Sequence, residues 1–290
     1  MLKHTISKLA ILSIIIFQVT SCSKESTEPS PSTPTPNPPI VKKLKRINTA
    51  FSGTTRAFIE DFVYDANGRL TEYNYRLEDS ATTPVQILSS TNSSLYYVGS
   101  NVYPIKTIIR LTNGDIDSTL YYYDSQARSI REEHYHLGIM NIKTEFNYLS
   151  SQLITRSQFQ ETGSGIGLFL YDSIYIDAQN KVIEGKEYNI PSGSGLYTNY
   201  TYDLKKNPFS NIEAFKHIFS FFVTDRRYNY RAPNNIIDYQ ANAIGSTYTM
   251  NFNYNNYLYD SANYPISYNL HKESTNPTNT EDTKVIFSYY

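Results

Sequence analysis

One turn recurs along this chain. Tyr64-Asp65-Ala66-Asn67-Gly68-Arg69 is followed by Tyr123-Asp124-Ser125-Gln126-Ala127-Arg128 and by Ile176-Asp177-Ala178-Gln179-Asn180-Lys181. Tyr202-Asp203-Leu204-Lys205-Lys206-Asn207 and Tyr259-Asp260-Ser261-Ala262-Asn263-Tyr264 complete the set. In each, an aspartate opens the turn and Gly, Ala, Asn or Lys stands three places later. Asp at that first position accepts a backbone N–H two residues on, and Gly or Asn tolerates the left-handed conformation that closes a type I turn with a bulge. Gly68, Asn180 and Asn263 suit the position, whereas Ala127 and Lys206 would hold it under strain.

The aspartates stand 59, 53, 26 and 57 residues apart, so the short gap is about half of each long one. Degenerate turns sit inside the long gaps: Tyr97-Val98-Gly99-Ser100-Asn101, Tyr148-Leu149-Ser150-Ser151-Gln152 and Tyr230-Arg231-Ala232-Pro233-Asn234. Eight units with a period of about 27 residues mark a repeat array. Each unit has room for two strands, and the segments between turns are rich in Val, Ile, Thr, Tyr and Phe with period-2 alternation. In "STYTMNFNY", Tyr248, Met250, Phe252 and Tyr254 share one face while Thr247, Thr249, Asn251 and Asn253 share the other. Roughly 16 consecutive antiparallel strands cannot stay flat, because twist and exposed edges force them to curl or close. The expected fold is all-β: an up-and-down meander of about eight hairpins, closed or nearly closed into a barrel over residues 42–290.

One segment reads as helix. In "NPFSNIEAFKHIFSFF", Phe209, Ile212, Phe215, Phe219 and Phe222 recur at three- and four-residue steps behind Asn207-Pro208, predicting a short helix over 208–220 that caps one end of the sheet. A buried strand is the alternative. Mid-strand Glu72, Arg76, Arg131, Glu132, Glu184 and Lys186 argue against a lipid-embedded barrel, although the aromatic final "KVIFSYY" has the look of an outer-membrane last strand.

The N-terminus gives an address. Lys3 and Lys8 precede an apolar run from Leu9 to Val19, too short for the roughly 20 residues of a spanning helix, so residues 1–21 read as an export signal. Val19-Thr20-Ser21-Cys22 resembles the lipobox of bacterial lipoproteins, which implies a lipid on Cys22, the only cysteine in the chain. The 22–41 stretch is dense in Pro, Ser and Thr and reads as an extended spacer. Lys42 to Arg46 is the one basic cluster, and a net charge of −1 argues against a nucleic-acid partner. The expected protein is exported, monomeric, and anchored through its lipid to the outer membrane.

Candidate chemistry is sparse. His134 and His136 with Glu132 share a strand face, yet further ligands cannot be named, so no metal or other cofactor is expected. Glu60-Asp61 and Glu132-Glu133 are sequence neighbours that strand geometry would point to opposite faces. "GSGIG" at Gly163 to Gly167 and "PSGSG" at Pro191 to Gly195 read as flexible hairpin tips. No acid, base or nucleophile converges, so the chain is expected to be no enzyme.

The turns "YDANGRL", "YDSQARS" and "YDLKKNPF", together with "APNNI" and "YDSANYPISY", resemble those of a Bacteroidetes lipoprotein family, a domain of unknown function with a porin-like barrel. More loosely they are similar to the YD repeats of Rhs and teneurin shells, although a single array of eight is too short to enclose large cargo. The resemblance implies a barrel and a lipid anchor, and brings no catalytic residues. Asp-Ser pairs at Ser80, Ser118, Ser173 and Ser261 are similar to the O-glycosylation acceptor of that bacterial group, and equally to ordinary turn chemistry. The 28 tyrosines suit either a packed repeat or a contact surface for a glycan or an envelope protein. Two function classes follow: a binding module, or a structural surface-display lipoprotein with no discrete ligand.

Overall fold

The computed structural model of the chain describes residues 41–163, 165–218, 231–275 and 278–290. The export signal, Cys22, nearly all of the 22–41 spacer, Phe219, Phe222 and Tyr230 lie outside the described residues. The compact unit that holds the described residues is Ile40–Tyr290.

Sixteen strands make it up. They are β1 Leu44–Phe51, β2 Arg56–Tyr64, β3 Leu70–Asp79, β4 Gln86–Tyr96, β5 Lys106–Leu111 and β6 Ile116–Tyr123. Next come β7 Ser129–His136, β8 Ile139–Ser150, β9 Leu153–Glu161, β10 Ile166–Ile176 and β11 Val182–Asn189. The last are β12 Ser194–Lys206, β13 Asn234–Ile244, β14 Thr249–Tyr259, β15 Pro265–Ser274 and β16 Asn279–Tyr289. Each pairs antiparallel with the next, and β16 returns to pair with β1, so the meander expected from the repeat is a closed barrel. Closure leaves no strand edge with unpaired N–H and C=O groups.

Connections after even-numbered strands gather at one end, the turn end, and hairpin tips after odd-numbered strands at the other. At Asp65, Asp124, Asp177 and Asp260 the turn is the same. The Oδ1 atom accepts the N–H two residues on at 2.9, 2.8, 2.9 and 2.8 Å, and the N–H four residues on at 2.9, 3.0, 2.8 and 3.0 Å. The left-handed residue is Gly68 (φ +79°), Ala127 (+57°), Asn180 (+62°) or Asn263 (+65°). Ala127 therefore keeps a conformation that costs a side-chain-bearing residue energy.

The flanking tyrosine and cation explain the rest of the motif. Tyr97 donates its hydroxyl to the Leu70 carbonyl (2.6 Å), Tyr123 to Pro104 (2.6 Å), Tyr148 to Ser129 (3.1 Å), Tyr202 to Val182 (2.7 Å) and Tyr289 to Pro265 (2.7 Å). In each case the accepting carbonyl lies where the chain enters the preceding strand, beside the previous turn. The cation that ends a turn reaches the other way: Arg69 lies 4.8 Å over the Tyr97 ring and Arg128 4.3 Å over Tyr148. Consecutive turns are thus chained together. Burial of these hydroxyls raises the pKa of Tyr97, Tyr123, Tyr202 and Tyr289 well above the ordinary phenol value.

Asp203 departs from the pattern. It lies within β12, where its Oδ1 accepts from the backbone N–H of Lys205 (2.9 Å) and Asn235 (3.1 Å) and its Oδ2 from the Tyr259 hydroxyl (2.5 Å). Instead of turning, the chain here runs on into the buried segment 208–218, and Asp203 ties the facing ends of β12 and β13 together. The units at Asp203 and Arg231, two turns by sequence spacing, are the two ends of one connection. Lys206 accordingly stays in β12.

That inserted connection is the stopper. The helix expected over 208–220 is shorter: a 3-10 turn Pro208–Asn211, then α1 Glu213–His217, separated by Ile212 in extended conformation. Asn207 caps the start, its side chain accepting from Phe209 N–H (3.0 Å) and donating to the Ala232 carbonyl (2.9 Å). Phe209, Ile212, Phe215 and Ile218 are buried against inward-facing Leu70, Phe252, Val285 and Phe287, and the Phe209 and Phe215 rings each lie 6.4 Å from Phe62. Each such side chain contributes roughly 1.5–3 kcal/mol on leaving water.

Candidate functional site

Inside the barrel, above the stopper, runs a belt of buried polar side chains. Arg156 (5% exposed) pairs with Asp172 (1%) and lies 3.4 Å from Glu187. Tyr73 donates to Glu60 (2.9 Å), Thr107 and Tyr121 share a hydrogen bond (3.0 Å), and Thr119 bonds His134 Nδ1 (2.9 Å). Burial lowers the His134 pKa to about 4, so the ring is neutral near pH 7, with Glu132 3.9 Å away. His136 instead bonds Asp117 (2.7 Å). Among the described residues no group of three or more His, Cys, Asp or Glu is placed to hold a metal. At the tip end, Phe51 and Phe58 (centroids 5.0 Å apart) border a hollow of about 560 Å³ with Arg56, Glu281 and Asp282, and Tyr75 stacks behind Phe58 (5.1 Å).

The neighbouring carboxylates part as strand geometry requires. Glu60 (3% exposed) and Glu132 (0%) point inward, while Asp61 and Glu133 point outward. Asp61 accepts from Arg46 (3.0 Å) and Arg76 (2.6 Å), and these guanidiniums hold its pKa below the usual carboxylate range against the opposing effect of partial burial. The outer wall repeats such pairs at mid-strand: Arg131–Glu133 (3.2 Å), Lys143–Glu145 (2.9 Å) and Lys186–Glu184 (3.0 Å). A barrel facing lipid carries an apolar band at this height.

The outer wall has two different flanks. From β13 to β15 its outward positions include six amides, Gln240, Asn242, Asn251, Asn253, Asn255 and Asn269, with the His271–Glu273–Asp282 cluster at the edge, and no tyrosine among the described residues. From β6 to β12 they are aromatic and charged. Glu133 accepts from the hydroxyls of Tyr122 (2.9 Å) and Tyr135 (3.0 Å) while Arg131 stacks 3.9 Å over the Tyr122 ring. Those hydrogen bonds to a carboxylate raise both phenol pKa values. Lys186 repeats the arrangement between Tyr175 (5.3 Å) and Tyr197 (5.6 Å), with Glu184 beside it. Strand register joins the two sets: Tyr122, Arg131, Glu145, Ser157, Tyr171 and Tyr188 form one row across six strands. A groove of about 760 Å³ at its start is lined by Tyr122, Ile130, Arg131, Glu145 and Asn147, among others.

The four serines fall in two settings. Ser80 and Ser261 are exposed in turns. Ser118 and Ser173 are half-buried in β6 and β10, and there the preceding Asp117 and Asp172 point into the barrel, Asp172 being buried on Arg156. The row of outward residues was not readable from sequence, since only the register places Tyr122 and Tyr188 in one line. Gly195 is a correction: it belongs to β12, and the tip is formed by residues 190–193.

No family model matches the chain, and no curated protein is significantly similar to it. Solved structures share the fold. A porin-like protein from Bacteroides uniformis ATCC 8492 is 14% identical, with 85% of this chain and 98% of that chain covered at a TM-score of 0.55. A porin-like protein from Bacteroides vulgatus ATCC 8482 is 12% identical, with 86% and 99% covered at a TM-score of 0.54.

Proposed function

We propose that this is a non-enzymatic lipoprotein of the cell envelope, tethered through Cys22 and its spacer, whose barrel stands in water and binds a ligand on the β6–β12 outer wall. The observation that carries this is the unequal wall: outward tyrosines with cations stacked on them concentrate on the β6–β12 flank, while the β13–β15 flank is richest in amides. Tyrosine offers a large apolar face with a polar tip at little conformational cost, which favours contact surfaces. The likeness to porin-like proteins fits an envelope setting, and the ion pairs on the wall speak against lipid contact.

The test is a binding screen of the lipid-free mature chain against envelope glycans and envelope proteins, with Tyr122→Ala and Tyr171→Ala as variants. Specific binding lost in either variant supports the wall; an empty screen favours display. The dry stopper at the turn end is the feature that a display protein without a ligand would also need. Growth with a palmitate analogue should label the wild-type chain and leave Cys22→Ala unlabelled. O-glycosylation belongs to the same proposal, with exposed Ser80 and Ser261 as acceptors, and an unmodified mature mass would end it.

A further inference from the structure

We infer that the ligand of this wall is an extended neutral glycan, seated along the row from Tyr122 to Tyr188 with the Tyr188 ring as a stacking platform; this rests on the wall being the binding face. The platform is made by a glycine. Gly195 stands directly opposite Tyr188, with Ile244 on its far side. A Cβ at Gly195 would meet Ile244 Cδ1 at 2.8 Å, the Glu187 carbonyl oxygen at 3.0 Å and Tyr188 Cδ1 at 3.1 Å. Both side chains therefore lie down over the glycine, and both remain 41% exposed. Gly195 has no left-handed φ to require it, and glycine weakens a strand interior, so what it supplies is room for the close approach of the Tyr188 ring, Ile244 and the Glu187 carbonyl.

The row has the composition a sugar chain needs. Rings at Tyr171 and Tyr188 can stack on pyranose C–H faces, and the Arg131 guanidinium lying over Tyr122, with Glu145 and Ser157, offers donors and acceptors to hydroxyls. Six strands at about 4.8 Å spacing give roughly 24 Å, a stretch for several sugar units in line. A peptide is disfavoured because the closed ladder offers no edge for strand addition. The charges of the wall are paired with one another, so an anionic polymer gains no unbalanced cation field.

The experiment uses the lipid-free mature chain and a panel of neutral oligosaccharides of about five units: cello-, malto-, manno- and xylo-oligosaccharides and chitin oligomers, with polygalacturonate as the anionic arm. Calorimetry should find at least one neutral binder, weakened about tenfold or more by Tyr188→Ala, and weakened also by Gly195→Ala, which keeps the tyrosine but crowds its resting place. Asn253→Ala on the amide flank should leave the affinity unchanged. Unfolding curves of the variants report whether the fold is kept, and Tyr188→Ala, at an exposed site, carries the test if Gly195→Ala does not fold. Neutral binding indifferent to Tyr188→Ala, or binding of the anionic polymer alone, overturns the inference. If an envelope protein binds and is lost in Tyr122→Ala while no sugar binds, the glycan falls and the wall stands; if nothing binds, both fall.

Discussion

The two ends of the barrel are built on different principles. At the turn end, aspartate-capped turns are linked by Tyr97, Tyr123, Tyr148, Tyr202 and Tyr289, whose hydroxyls each reach a neighbouring strand entry, and the stopper fills the space they enclose. At the tip end, hairpins such as Leu137-Gly138 turn through positive φ (+50° and +83°) and touch their neighbours through shorter links, Leu137 N–H on the Ile116 carbonyl (3.1 Å) and the Thr275 hydroxyl on the Thr247 carbonyl (3.0 Å), while inward rings such as Phe51 and Phe58 remain partly exposed. Stability is therefore expected to be concentrated at the turn end, where the apolar cluster of the stopper sits behind the turns, and less at the tips, where the described residues form no such cluster of their own.

The largest effect should come from the stopper. Phe215→Ala removes a ring that is 1% exposed and should cost about 3–5 kcal/mol in urea unfolding. A loss below 1 kcal/mol would mean that the turn end is no firmer than the tips. Acid should be next. The unfolded chain protonates His134 near its ordinary 6.5, the folded chain only near 4, so the stability this residue contributes is complete above about pH 6.5 and lost on falling through that window. At the conversion of 1.36 kcal/mol per pKa unit the loss is at most about 3 kcal/mol. His134→Gln should flatten the slope of unfolding free energy between pH 7 and 4.5. His271, raised by its hydrogen bonds to Asp282 and Glu273, acts in the opposite sense as pH rises.

Tyr123→Phe should cost about 1–2 kcal/mol by stranding the Pro104 carbonyl, with the thermal midpoint as the readout. An unchanged midpoint would deny that the turns are chained. Smallest are the paired turn substitutions. Ala127→Gly should stabilise by about 1 kcal/mol by releasing a strained φ, and Leu137→Asn at the tip end by a few tenths. Equal gains would erase the distinction between the ends.

Much of this was legible in the residues. The period and the alternation give the strand count and closure, because uniform hairpins have few other ways to hide their edges. Asp65 and its three equivalents could be read because an Asx turn is local chemistry. Asp203 has the same local sequence, yet the insertion that follows it is a long-range event, so its carboxylate serves Asn235 and Tyr259 instead. The roles of Tyr97 and Arg69 span neighbouring units and need the register. Gly195 was the hardest: beside Gly193 it reads as loop flexibility, and only the tyrosine opposite reveals why a strand would accept it.

The pairing of β1 with β16, sealed by the Tyr290 N–H on the Lys43 carbonyl (3.0 Å), has a consequence for how the molecule could be rebuilt. Joined at those two neighbouring ends and reopened at the exposed Leu137-Gly138 tip, the same residues would form a circular permutant with every ladder intact. The barrel would be unchanged, and both chain ends would move from the stoppered end to the tip end.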